Sequence, residues 1–148
     1  LRELPLARLN EILDGSIVTW ADLLASCPTC YDAPPASDLL DLPIQLIIYP
    51  ENSAAQTAFA SSFNITPRVT NAALIVPSTV AMNEIVAADA SAIGFLPKAA
   101  ADGVVNQVNL TDSGDSYEVT LPVLGITEEE PPAPIRQWLV CVQEKLNP

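Results

Sequence analysis

Apolar residues recur at three- and four-residue spacing in residues 5 to 14, PLARLNEILD, which puts Leu6, Leu9, Ile12 and Leu13 on one side of a helix. Pro5 suits a first helical turn, and Gly15 suits the position just past the last. TWADLLAS (19–26) predicts a second, short helix, capped by Thr19 with Asp22 three residues on. From Ser26 to Leu42 the pattern is lost, and Pro28, Pro34 and Pro35 predict a long surface loop. IQLIIY (44–49) is then a continuous β-branched run and reads as a strand. A helix follows from about Ser53 to Ser62, with Ala55, Phe59 and Phe63 sharing a face. Residues 64 to 72 are irregular. ALIVP (73–77) reads as a buried strand, and Ser78 or Thr79 caps a helix through about Ala88, with Val80, Ile85 and Val86 inward. AIGFL (92–96) is another short buried strand, in which Gly94 marks a close backbone approach. From Val104 the period becomes two: VVNQVNL and SYEVTLPVL flank the turn sequence TDSGD. TEEEPPAP is an acidic, proline-rich connector, its Glu128–Glu130 run a solvated segment, and Ile135 to Leu146 is a terminal helix with Leu139, Val142 and Leu146 in phase. Cys141 lies in that pattern and reads as a buried thiol.

The alternation of helices and strands predicts an α/β fold, a three-layer α/β/α sandwich whose sheet becomes mixed through an antiparallel addition from the later strands. The chain has 148 residues, enough for a single domain with a real core, and 49% of it is apolar, mostly Ala, Leu, Ile and Val. No apolar run approaches the ~20 residues of a membrane span. The sequence starts at Leu1 without a Met and shows no signal-peptide pattern, so it reads as an excised piece or a processed product.

Charge narrows the partners. Eighteen acidic residues face six basic ones, for a net charge of −12, and the basic residues are scattered singly, so nucleic acid is not an expected partner. There is no His, which removes the commonest general base and the commonest transition-metal ligand. No nucleophile elbow or phosphate-cradling glycine loop is present either, so no enzyme, metal centre or cofactor is expected. Cys27 and Cys30 have redox spacing, but CPTC follows a helix and enters a proline-rich loop. It reads as a local disulfide or a pair of loop thiols, with a thiol-redox pair and a metal site as the alternatives. Asn64-Ile65-Thr66 and Asn109-Leu110-Thr111 have the short acceptor pattern for N-glycosylation.

LARLNEILDGSIVTWADL (6–23) resembles the segment that opens the second lobe of the phosphate-type (type 2) periplasmic solute-binding proteins, a helix followed by F-x-G-x-I-x-x-W-x-D. Ile12, Gly15, Ile17, Trp20 and Asp22 fit, with Leu13 in the Phe place. Pro43, Ile44, Ser53 and Phe59 fit the family's next stretch, SAIGF (91–95) resembles its G-A-I-G-Y strand, and residues 121 to 143 are similar to its closing strand and helix. The resemblance implies one lobe of a type 2 binding-protein fold, with a lobe core over about residues 1–108 and returning strands and a terminal helix over about 109–148. It further implies an extracytoplasmic location, a first lobe that is absent here, and an ABC permease as partner.

The family presents its anion site where a strand feeds a helix, with an Arg followed by Ser-Gly-Thr at the helix start. The Arg neutralises the anion, and hydroxyls and free N–H groups donate to it. Here Tyr49 stands in the Arg place, Ala54 in the Gly place and Ala55 in the Thr place, and Ser53 matches. Candidate ligand-binding residues are therefore Asn52, Ser53, Ala54 and Gln56, with Ser78 and Thr79 at the next helix start and Arg68 as the candidate cation. The expected ligand is a small anion or polar solute. The alternatives are ordinary helix caps at these positions, and an interaction or structural module that keeps the fold without a ligand.

Overall fold

The computed structural model of the chain describes residues 1–63, 73–101, 103–117, 119 and 132–146. Among these, a short strand β1 (Glu3–Pro5) leads directly into α1 (Leu6–Asp14), which ends at Gly15 in the left-handed conformation. β1 was not expected: Pro5 closes it and serves as the N-cap of α1, not as its first turn. α2 (Trp20–Ser26) carries the full capping box, the Thr19 hydroxyl accepting from the Asp22 N–H while the Asp22 carboxylate accepts from the Thr19 N–H at 2.9 Å. The Thr19 hydroxyl also donates to the Asp22 carboxylate at 2.7 Å, and this bond foremost, with that from the Thr19 N–H, holds the Asp22 carboxyl below its ordinary pKa.

The segment expected as a plain surface loop is more ordered than its prolines imply. Pro28–Cys30 form a 3₁₀ turn and Ser37–Leu40 a one-turn helix, α3. Cys27 and Cys30 are joined in a disulfide, with Cα atoms 5.4 Å apart. Closing so short a loop contributes about 2 kcal/mol by chain entropy. Cys30 is buried and its carbonyl accepts from the Arg2 N–H at 2.8 Å, which ties the turn to β1.

The central sheet has the order β3-β2-β4, with β2 (Gln45–Ile48) flanked in parallel by β3 (Leu74–Ile75) and β4 (Ala92–Ile93). β2 alternates between two apolar clusters. Leu46 and Ile48 join Leu9, Ile12, Leu13, Trp20, Leu23 and Phe63 on one side, while Ile47 and Tyr49 join Val76 and Met82 on the other. Burial of both faces explains why β2 is apolar at every position from Leu46 to Tyr49. α4 (Ala54–Phe63) and α5 (Thr79–Ala88) follow β2 and β3. The layers are those of an α/β/α sandwich. Trp20 is in the core, its Nε1–H donating to the Ser91 carbonyl at 3.2 Å. Gly94 makes the close approach expected of it, packed against Met82, Val86 and Ile47.

Several boundaries and faces differ from the sequence reading. Leu74 and Ile75 are exposed, Ile75 at 59%, so only Val76 of that run is buried. Val80 points outward at 65% exposure, because α5 packs Met82, not Val80, against Ile47 and Val76. The antiparallel addition forms a second sheet, β1-β5-β6, in which β5 (Asn109–Asp112) pairs in parallel with β1 and antiparallel with β6 (Asp115–Tyr117). β5 starts only at Asn109, so Val104 to Val108 lie before it. The Tyr117 hydroxyl donates to the Ser62 carbonyl at 2.9 Å and fixes this sheet to the end of α4. α6 (Ala133–Leu146) is helical as expected, but Cys141 is exposed, as are Ile135, Trp138 and Val140. A helical period shows which residues share a face and says nothing of whether another element covers it. The irregular segment 64–72, the acidic run Glu128–Glu130 and the closing strand of the resemblance lie outside the described residues.

Candidate functional site

Because β2 and β3 run parallel in neighbouring positions, with Ile48 beside Ile75, their carboxyl ends open on the same edge of the sheet. α4 and α5 both start at that edge, which is where open α/β sheets bind ligands. Two helix starts therefore share one side of the molecule.

At the first, Pro50 to Ser53 make a tight turn, the Ser53 N–H donating to the Pro50 carbonyl at 2.9 Å. The Ser53 hydroxyl accepts from the Gln56 N–H at 3.1 Å, and the Ser53 carbonyl accepts from both the N–H and the hydroxyl of Thr57 at 3.0 Å. Ser53 is thus the N-cap of α4, with a contribution of about 1 kcal/mol. Gln56 is buried and folds back on the strand, its Oε1 accepting from the Tyr49 N–H at 3.2 Å. Asn52 and Ala54 are exposed at the tip, beside the exposed Glu51. By helix geometry the N–H groups of Ala54 and Ala55 have no acceptor inside α4 and carry the helix's partial positive charge.

Tyr49 is 3% exposed, and its ring meets Phe95 edge-on at a centroid distance of 5.2 Å. Burial pushes its phenol pKa up, so the group is neutral, and its hydroxyl has no partner among the described residues. Where a cation would neutralise an anion there is a buried neutral ring. Ala54 adds a Cβ where a glycine would admit a ligand to the backbone. Arg68, the candidate cation, lies outside the described residues.

At the second helix start the Ser78 hydroxyl accepts from the Ala81 N–H at 3.2 Å and caps α5. Next to it Thr79, Val80, Asn83 and Glu84 line a concavity of about 390 Å³ with Ala100, which belongs to the 3₁₀ turn Lys98–Ala100. Asn83 is 8% exposed, and its Oδ1 has no hydrogen-bond partner among the described residues. An unpaired buried carboxamide oxygen costs about 1–3 kcal/mol. The sequence reading named Ser78 and Thr79 here and did not name Asn83. The available signal was a carboxamide in the middle of the apolar stretch TVAMNEIV, one turn after a Ser-Thr cap. Among the described residues no group of His, Cys, Asp and Glu is placed to hold a metal ion.

This architecture, parallel strands feeding two helix starts on one edge, is that of an open α/β sheet. Solved structures match it. An ABC-type phosphate transport receptor from Vibrio cholerae superposes with a TM-score of 0.61 at 20% identity, over 74% of this chain and 41% of that one. A protein assigned as a phosphate ABC transporter substrate-binding protein, from Clostridium perfringens and with phosphate bound, superposes with a TM-score of 0.60 at 20% identity, over 74% of this chain and 40% of that one. The chain spans about two fifths of the length of these proteins and shares their α/β fold over the matched part, as the sequence resemblance implied. No protein-family model matches the chain, and no curated protein matches it.

Proposed function

We propose that residues 1–148 form one lobe of an extracytoplasmic solute receptor of the ABC-transport kind, whose anion site has diverged from phosphate toward a less highly charged solute. It acts by capture between lobes, not by catalysis, with the other lobe supplied by the rest of the parent protein and an ABC permease as recipient. The observation that supports this best is the α4 start. The Ser53-capped helix end still opens at the carboxyl edge of β2, while the buried, neutral Tyr49 and the exposed Ala54 stand where phosphate would need a cation and a glycine. Asn52, Ser53 and Ala54 with Ser78 and Thr79 form the solute-facing edge.

A second reading is favoured by one specific observation. The Ser53 hydroxyl and the Gln56 carboxamide are both engaged inside the fold, which fits an interaction module that retains the scaffold without a small ligand. A thermal-shift screen of small anions, amino acids and sugars, on protein that includes the other lobe, separates the two. A bound solute at a hundred times its Kd stabilises by ~2.7 kcal/mol. The receptor reading expects such a shift for at least one polar solute other than phosphate. A flat response across the panel would favour the interaction module.

A further inference from the structure

The turn closed by the Cys27–Cys30 disulfide stands between the core and the first strand. Cys27 ends α2, its N–H donating to the carbonyl of the fully buried Leu23 at 2.9 Å. Cys30 is buried, and its N–H donates to the Cys27 carbonyl at 3.1 Å. On the far side of the turn the Cys30 carbonyl accepts from the Arg2 N–H, and the Arg2 carbonyl accepts from the Asn109 N–H. α2, the turn, β1 and β5 thus form one hydrogen-bonded series, which the β1–β5 ladder continues from Glu3 to Pro5. Leu4 is buried and keeps β1 on the core, but one apolar side chain does not set the register of a strand. A three-residue 3₁₀ turn does not persist by itself. β1 is equally short, and its proline cannot donate to a ladder. The ion pair of Arg2 with Asp32, at 3.3 Å, joins two exposed side chains and adds little. The covalent bond is what fixes the Cys30 carbonyl that receives β1.

We infer that the Cys27–Cys30 disulfide is a redox latch on the second sheet. Oxidised, it locks β1 in register with β5. Reduced, it lets the β1–β5 ladder open while the central sheet stays intact. The two sulfurs differ in access, Cys27 being half-buried and Cys30 buried. A dithiol reductant therefore attacks the Cys27 sulfur, the S–S bond breaks, and Cys30 leaves as a thiolate that takes up a proton. The second thiol of the reductant attacks the mixed disulfide, frees Cys27 and closes as a cyclic disulfide. Two electrons and two protons pass from the dithiol to the cysteine pair. Neither cysteine thiolate is favoured, since Cys27 lies at the negative end of α2 and Cys30 is buried. An oxidising compartment accordingly keeps the latch shut. Reduction gives back the chain entropy of the closed loop, about 2 kcal/mol, which is about thirtyfold in the local opening equilibrium. The inference goes beyond the solute-receptor reading and does not depend on it.

Amide hydrogen exchange of the full chain, with and without dithiothreitol, tests the latch. A Cys141→Ser background removes the free, exposed thiol from the comparison. The Arg2, Cys30 and Asn109 amides are expected to exchange at least tenfold faster in the reduced chain. The Gln45 and Val76 amides, which donate to the Ser91 and Ile48 carbonyls in the central sheet, are expected to keep their rates. Reoxidation with oxidised glutathione restores the slow exchange. The double variant Cys27→Ser/Cys30→Ser shows the fast pattern without reductant and does not respond to oxidised glutathione. If that variant does not fold, the reduced parent chain reads the same comparison. Unchanged exchange at Arg2 and Asn109 after reduction, confirmed complete by mass, overturns the proposal. An equal acceleration at Gln45 and Val76 also overturns it, because the disulfide would then support the whole fold and not the second sheet.

Discussion

Gln56→Met separates a structural role at the first helix start from a ligand-binding one. Methionine keeps the length and bulk of the buried side chain and removes its acceptor. The Tyr49 N–H, now 3.2 Å from Gln56 Oε1, is left with nothing to donate to, on a residue itself only 3% exposed. A buried donor orphaned in this way costs about 1–3 kcal/mol. A chain of 148 residues unfolds with an entropy of roughly 0.3 kcal/mol/K. Each kcal/mol therefore moves the melting temperature by about 3 °C, and the variant is expected to melt about 3–9 °C lower. Circular dichroism on heating gives the shift. Urea titration should give a lower midpoint with an unchanged slope, which places the loss in stability and not in the denatured state. A Gln56→Met protein that melts within about 1 °C of the parent would refute the reasoning, since even the low end of the range requires more. It would mean that the bond contributes nothing and that the carboxamide is available to a solute.

Gly94→Ala should destabilise by about 1–3 kcal/mol through overpacking. The added Cβ would fall on the Met82 thioether sulfur and lie 3.2 Å from Val86 Cγ2, and Met82 is fully buried and cannot swing out. Combining it with Met82→Ala should recover part of that loss in a double-mutant cycle, and strictly additive costs would contradict the contact. Asp22 tests the α2 cap by pH. Its folded pKa is depressed by hydrogen bonds from Thr19, so its contribution is present above its ordinary value of 3.8 and is lost as pH falls through the lower folded value. Asp22→Asn should flatten that part of the stability profile, measured by urea midpoints between neutral and strongly acidic pH, and an unaltered profile would remove Asp22 from the account.

Most of the element order was legible in the sequence because it rests on local chemistry. α1 is bounded by Pro5 and Gly15 and α2 by the Thr19–Asp22 box, signals carried within a few residues of each helix end. β2 could be read because burial on both faces makes its composition uniform. The misreadings share the opposite property. β1 is three residues long, includes a proline, and exists only through pairing with residues 109–111. Val80 and Cys141 were assigned to the interior from their period, but whether a face is covered depends on elements far away in the chain. The candidate site divides the same way. Ser53 and Ser78 are caps, as their positions before α4 and α5 allowed. The bond of Gln56 to Tyr49 crosses from helix to strand and had no sequence signal of its own, and the isolation of Asn83 Oδ1 is a property of packing that a carboxamide in an apolar stretch signals without fixing.

The pairing of β1 with β5 sets an order on folding. Glu3 faces Asn109 across the ladder, and the Asn109 N–H donates to the Arg2 carbonyl at 3.0 Å. More than a hundred residues must leave the ribosome before β1 meets its neighbour. The disulfide turn, which holds the Arg2 N–H from the other side, is complete by residue 30. Until residues 109–111 arrive, the strand edge of the early segment stays unpaired, and an unpaired edge is the kind of surface that recruits other chains. Closing so long a loop is slow compared with forming the helices. The second sheet is accordingly expected to be the last part of the chain to gain protection in pulse-labelled hydrogen exchange.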